Sequence, residues 1–276
     1  MRNIKLTLAY DGTDFSGWQI QPGQATVQGT LAEVLEKLTQ SPILIHGAGR
    51  TDAGVHAAGQ VANFKTESPL SPNDFQRACN ALLPPSIRVV AAEEAAPEFH
   101  SRWNALAKTY SYRIFRGRIV PPFAWRYVHQ DSSPLDFAAM AEAARRFEGE
   151  HDFTTFAAST GSEEDDRERL TTRTIFRSEL VRCAEQSISG QAPAEEWVYV
   201  VRGKSFLRYM VRKIVGTLVE VGRGKLTPDD IPNLLAMRDR SKSGPTMPPQ
   251  GLCMMGVEYE STAQTIAIDD AGSAAG

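Results

Sequence analysis

The stretch His46-Gly47-Ala48-Gly49-Arg50-Thr51-Asp52-Ala53-Gly54-Val55-His56-Ala57-Ala58-Gly59 stands between two apolar runs, 43–45 and 61–65, that read as strands. Glycine at this density lets the backbone bend where side chains would clash, and lets a ligand approach closely. Asp52 is the single acid in it, two residues from Arg50. Such a carboxylate has two readings. It caps the turn, as Asp in loops commonly does, or an arginine keeps it ionised and oriented for chemistry.

The stretch is not a nucleotide loop. Gly49 to Gly54 has the spacing of a phosphate loop, but Val55-His56 follow where a lysine and a Ser or Thr are required. A dinucleotide fingerprint fails as well, because after Gly47-Ala48-Gly49 the third glycine comes too late. This is a loop between strands, and the surrounding fold follows from that.

Toward the N-terminus, Ile4, Leu6, Leu8 and Tyr10 alternate with other residues as a half-buried strand, broken by the turn Asp11-Gly12-Thr13. Val27, Leu31, Val34, Leu35 and Leu38 then give a helical stripe to about residue 39. Toward the C-terminus, Ser71-Pro72-Asn73-Asp74 starts a helix that runs to about Leu82, and a strand follows over 87–92. The pattern then repeats in outline. Tyr110, Tyr112 and Ile114 alternate in a strand, and Ser133-Pro134-Leu135-Asp136 starts a helix with stripe Phe137, Met140, Ala141, Ala144 and Phe147. Residues 174–180 and 197–203 read as strands, 206–219 as an apolar-striped helix, 227–237 as a short one and 254–259 as a closing strand.

Helices and strands without a strict βαβ rhythm predict an α+β fold with largely antiparallel sheet. The two halves of similar grammar predict two related subdomains, 1–105 and 106–260, with helices packed on the sheet faces. No linker marks the junction, so the sheets are expected to be joined across a central basic cleft that is the working site. The small-residue tail, 261–276, has little to pack and is expected to be disordered.

The 276 residues are enough for a sizeable core, and no apolar run approaches the roughly 20 residues of a membrane span. Three cysteines without a CxxC pair argue for reduced thiols in a cytoplasmic protein, against a disulfide frame or zinc cage. The formal net charge is −3, yet the signs are segregated. Arg102, Lys108, Arg113, Arg116, Arg118 and Arg126 form one acid-free stretch, and Arg202, Lys204, Arg208, Arg212 and Lys213 form another. Both are interleaved with aromatics, which suits a polyanion surface as well as a solvated face.

Five scattered histidines, with no His-x3-His or His-x-x-Glu-His arrangement, predict no metal site. Nothing resembles a Gly-x-Ser-x-Gly elbow or a Cys/His pair. What remains is a carboxylate acting alone, with Arg50 near it in sequence and Arg208 or Arg212 able to approach from the second half. A glycosidase would need a second carboxylate, for which only a distant one such as Asp14 is at hand. A solitary carboxylate without metal or cofactor suits an internal rearrangement better than hydrolysis. Nucleosidase or glycosidase action and non-catalytic RNA binding are the alternatives.

Gly49-Arg50-Thr51-Asp52-Ala53-Gly54-Val55-His56-Ala57 resembles the signature of the tRNA pseudouridine synthase I family. The resemblance extends to Tyr10-Asp11-Gly12-Thr13-Asp14-Phe15-Ser16-Gly17-Trp18-Gln19, to Asn80-Ala81-Leu82-Leu83-Pro84 and to Phe99-His100-Ser101-Arg102. It continues through Lys108-Thr109-Tyr110-Ser111-Tyr112-Arg113-Ile114, Phe206-Leu207-Arg208-Tyr209-Met210-Val211-Arg212 and Pro249-Gln250-Gly251-Leu252. These blocks stand in the family's order over roughly residues 3 to 260.

The resemblance implies isomerisation of uridine to pseudouridine at positions 38, 39 and 40 of the tRNA anticodon arm, without metal or cofactor, by a homodimer holding one tRNA across both subunits. It makes Asp52 the catalytic nucleophile, and Arg50 the residue that holds the flipped-out nucleotide. It makes Tyr110 the ring stacked on uracil and a carrier of the C5 proton. Arg212 becomes the salt-bridge partner of Asp52 and Leu252 an apolar wall under the base. Arg208, Lys108, Arg113 and Arg116 are read as phosphate contacts, which position RNA without reading its sequence. The chain departs from the pattern after His151-Asp152-Phe153, where an arginine is common in the family and a charged insert, 162–169, follows here. No RNA contact is carried over from that segment.

Overall fold

The computed structural model describes residues 1–159, 170–183 and 195–260; the insert 162–169 and the tail 261–276 lie outside the described residues. The first half runs β1 (Arg2–Tyr10), α1 (Val27–Thr39), β2 (His46–Gly47), β3 (His56–Thr66), α2 (Pro72–Leu82) and β4 (Ile87–Ala95). The second runs β5 (Ala107–Phe115), β6 (His129–Gln130), α3 (Phe137–Arg145), β7 (Gly149–Asp152), β8 (Thr172–Cys183) and β9 (Glu196–Gly203). It closes with α4 (Met210–Gly222), α5 (Asp230–Met237) and β10 (Leu252–Glu258).

The strands form one mostly antiparallel sheet in the order β4-β1-β3-β10-β5-β9-β8-β7, with β2 paired to β3 and β6 to β5. Among the described residues, only β10 against β3 and β6 against β5 are parallel. The last strand of the chain therefore sits between β3 and β5 and sews the two halves together. Register carries one face of the sheet across that seam. Tyr10 lies opposite Ala57, Ala57 beside Met254, and Met254 opposite Tyr110. The period-two residues of β1 (Ile4, Leu6, Leu8, Tyr10) and of β5 (Tyr110, Tyr112, Ile114) are all buried on this face. Each large apolar side chain so buried contributes roughly 1.5–3 kcal/mol, so this face is the spine of the core. Trp18 is 1 % exposed and packs against Tyr10, with ring centroids 6.2 Å apart.

The helix starts follow local chemistry. The Thr26 hydroxyl accepts from Gly29 N at α1, and the Ser71 hydroxyl accepts from Asp74 N at α2, with Pro72 in the first turn. At α3 the cap is Asp136, whose carboxylate accepts from Ala139 N; Ser133, at the head of the expected start, is instead tied to Asp131.

Two expected elements differ. Residues 43–45 are extended but form no strand. Helix α1 takes the backbone groups that a ladder would need: Ile43 N donates to Glu36 Oε1 at 3.4 Å, and Ile45 O accepts from Gln28 Nε2 at 2.9 Å. The in–out alternation is real, with Ile43 and Ile45 buried and Leu44 exposed, but it packs against a helix. The helix expected over 206–219 begins only at Met210, because Tyr209 adopts a left-handed conformation with φ 65°. Arg208 therefore precedes the helix that carries Arg212.

Candidate active site

From Ala48 to Asp52, four of the five residues have a backbone or side-chain group tied down. Ala48 N donates to Val61 O at 2.7 Å, and Ala48 O accepts from Lys108 Nζ at 2.6 Å. Gly49 O accepts from Gln60 Nε2 at 2.7 Å, and the Thr51 and Tyr10 hydroxyls are hydrogen-bonded at 2.8 Å. Thr51 O accepts from Trp18 N at 3.0 Å, and Asp52 O accepts from Val55 N at 3.1 Å. Glycine-rich composition here makes a fixed platform. Gly47 shows why: a Cβ on it would stand 2.6 Å from the Trp18 ring. Gly47→Ala should cost about 1–3 kcal/mol by overpacking, read from urea unfolding followed by tryptophan fluorescence.

The exception is Arg50, which is exposed and makes no ion pair among the described residues. The partner of Asp52 comes from α4. Arg212 Nη1 donates to Asp52 Oδ2 at 3.2 Å, and Arg212 Nε donates to Met247 O at 2.6 Å, which fixes the guanidinium. The two side chains are 13 % and 21 % exposed, so the pair is largely dry but open to one side. Among the described residues no backbone N–H donates to the Asp52 carboxylate, so it caps nothing. Burial pushes the Asp52 carboxyl above the ordinary range, while the charge and hydrogen bond of Arg212, then the charge of Arg208, pull it back.

Tyr110 on β5 is 7 % exposed, and Phe206 meets its ring edge-on with centroids 5.0 Å apart. Burial first, then the proximity of Tyr10 and of the Asp52 charge, raise its phenol far above the usual value. Leu252, at the start of β10, is 6 % exposed and lies opposite Tyr112 in the sheet. Arg208 is exposed, with its guanidinium 4.8 Å above the Tyr209 ring.

Three of the expected phosphate-binding cations have partners within the chain. Lys108 is 9 % exposed and donates to the Ala48 carbonyl. Arg113 makes a two-bond fork with Glu196, at 2.6 and 2.8 Å. Arg116 donates to the carbonyls of Asp131 and Ser133 and lies 4.4 Å over Trp197. Basic residues on strands spend their charge on neighbours that sequence spacing does not reveal. Asp14, the distant second carboxylate, is paired with Arg126 at 3.0 Å.

His56 is buried at the start of β3. Its Nδ1 accepts from Gly12 N at 3.1 Å, leaving Nε2–H to donate to Arg126 O at 2.9 Å. Burial lowers its pKa, while the Asp11 carboxylate, 3.2 Å from Nδ1, opposes the shift. Among the described residues no group of three or more His, Cys, Asp or Glu side chains is placed to hold a metal ion. Sequence spacing missed Tyr10, Gln60 and Phe206 as supports. The only signal for Tyr10 was its place at the end of an alternating strand, next to Asp11-Gly12.

The site thus combines a partly dry carboxylate, an arginine holding one of its oxygens and a buried phenol, with exposed arginines at the edge. A profile of the tRNA pseudouridine synthase family matches residues 7–104 and 143–260. The chain is 48% identical over 259 residues to a tRNA pseudouridine synthase A of Solibacter usitatus, covering 94% of this chain and 100% of that one. It is 43% identical to a tRNA pseudouridine synthase A of Maridesulfovibrio salexigens, over 95% of this chain and 92% of that one. A tRNA pseudouridine synthase A 1 of Desulfotalea psychrophila is 42% identical, over 94% and 100% of the two chains.

Proposed function

The chain belongs to the tRNA pseudouridine synthase family, and we propose that it isomerises uridine to pseudouridine at positions 38, 39 and 40 of the tRNA anticodon arm through the carboxylate of Asp52. The observation that carries the assignment of Asp52 is its ion pair with Arg212, made across the seam between the two halves of the chain. In the reaction the N1–C1′ bond breaks and a C5–C1′ bond forms. A proton leaves C5 and one is gained at N1. Three routes use a carboxylate for this: attack at C1′, addition to C6, or removal of the C2′ proton. Each requires Asp52 ionised, which is what Arg212 favours.

The other roles follow from position. Arg50, exposed two residues from Asp52, reaches out to hold the flipped nucleotide. Tyr110 stacks on the uracil and relays the C5 proton through its hydroxyl, accepting it as the phenol passes its own on, with Leu252 as the wall beneath the base. Arg208 meets a phosphate near the mouth. The halves 1–105 and 106–260 act as related subdomains with the cleft between them, in a cytoplasmic enzyme. A homodimer holds the tRNA; the exposed Ile119, Phe123 and Trp125, on one loop, are the apolar surface that supports it.

The test uses unmodified tRNA carrying tritium at uridine C5. Label release without base loss supports isomerisation, free uracil supports a nucleosidase, and tight binding with neither product leaves an RNA-binding protein. Tyr110→Phe separates two roles. Binding should survive, and turnover should fall on the order of 10²–10⁴-fold if the hydroxyl moves a proton; near-normal turnover restricts Tyr110 to stacking.

A further inference from the structure

Lys108 is the buried cation that this chemistry does not use. It lies on β5 two residues from Tyr110, on the same face, and its Nζ reaches the Ala48 carbonyl, four residues before Asp52. It makes no ion pair among the described residues, although it is only 9 % exposed. Gly49 lies against both groups: a Cβ on it would stand 3.3 Å from Met254 Cε, 3.5 Å from Lys108 Nζ and 3.8 Å from the Tyr110 hydroxyl. One ammonium therefore grips the loop that carries Asp52 and borders the phenol on its own strand.

We propose that Lys108 is a positioning residue that fixes the Asp52 loop against the Tyr110 strand, and that its positive charge strengthens that hold. The inference rests on the reading of Asp52 and Tyr110 given above. A hydrogen bond from an ionised donor is roughly twice as strong as a neutral one, so an amine that loses its proton grips the Ala48 carbonyl less firmly. The groups facing Nζ are cationic or neutral. The Arg102 and Arg173 guanidiniums act on it through space, Gly203 is its partner on β9, and Val257 its partner on β10. The adjacent Glu258 is held by Arg202. Burial, then Arg102 and Arg173, push the Lys108 amine down to about 8. The charge is present below that value and lost as pH rises through it, so turnover should fall on the alkaline side near pH 8.

Lys108→Met and Lys108→Arg test this on the full chain with tritium-labelled tRNA, following kcat, KM and their pH profiles. For Lys108→Met, kcat should fall about 10–100-fold and KM change less than about 3-fold, as expected for misplacement within an occupied site. Lys108→Arg should restore most of kcat and move the alkaline limb up by more than about one pH unit, because guanidinium stays charged. Full kcat in Lys108→Met overturns the inference. So does an alkaline limb that stays near pH 8 in Lys108→Arg, which decides the matter if Lys108→Met does not fold. A wild-type chain that releases no label overturns the functional reading with it. An active wild type, a dead Asp52→Asn and an unaltered Lys108→Met overturn the Lys108 role alone.

Discussion

Asp52→Asn is expected to lower turnover on labelled tRNA by a factor on the order of 10⁴ or more, while tRNA affinity changes less than about tenfold. Removal of a group that acts in covalent or proton-transfer steps, with binding contacts kept, gives losses of this order. Asparagine keeps the volume and can still accept from Arg212 Nη1, so the loop should hold its place. That expectation follows from how the loop is anchored. Apart from the Arg212 contact, which asparagine can still accept, the ties run through Ala48, Gly49 and Thr51 and through the Asp52 backbone. Thermal unfolding should therefore be near wild type, and the activity loss would belong to the chemistry. An Asp52→Asn protein with more than about a tenth of normal turnover would remove the carboxylate from the mechanism.

Arg212→Met is expected to have the second largest effect, and it should show in the pH profile. Burial already raises the Asp52 carboxyl, and Arg212 is the first of the groups opposing that rise. Without it the carboxyl rises further, because a neighbouring opposite charge is lost. Catalysis needs the ionised form, present above the pKa and lost as pH falls through it. The acid limb of kcat/KM should therefore move to higher pH. Stability should change in the same variant. Because the folded-state value lies above the unfolded one, ionisation of Asp52 costs stability as pH rises through the window between them. Losing the arginine widens that window and leaves the Met247 carbonyl without its donor. Breaking a fully buried pair costs about 3–5 kcal/mol. With the two side chains 13 % and 21 % exposed, about 1–3 kcal/mol is the scale expected here after solvent screening. An acid limb that does not move would show that Arg212 does not control the carboxylate.

Much of the fold is readable in the chain because it rests on local chemistry. The alternation of β1 and β5, the caps at Thr26 and Ser71 and the stripe of α1 are set within a few residues of where they act. The errors come from distant partners. Residues 43–45 have strand alternation, but side chains from α1 occupy their backbone groups. The left-handed Tyr209 breaks an apolar stripe that gives no warning of it. The place of β10 between β3 and β5 belongs to topology, which periodicity does not encode.

The site divides the same way. The Gly-rich loop and its solitary acid are visible directly, and the pairing with Arg212, 160 residues away, came from family resemblance. Lys108, Arg113 and Arg116 looked alike as basic residues in an acid-free stretch. The fold separates them into a loop anchor, an ion-paired strand residue and a carbonyl clamp. The glycines also changed meaning. Gly47 makes room for Trp18, while Gly49 lies against Met254, Lys108 and Tyr110.

The most direct measurement of whether the Asp52 carboxylate isomerises uridine is position-resolved mapping of pseudouridine in tRNA after incubation with the wild-type chain and with Asp52→Asn. The expected result is pseudouridine at uridines 38, 39 and 40 with the wild type, intact glycosidic bonds throughout and none of the product with Asp52→Asn. Pseudouridine formed equally by both proteins, or abasic sites at those positions in place of pseudouridine, would contradict it.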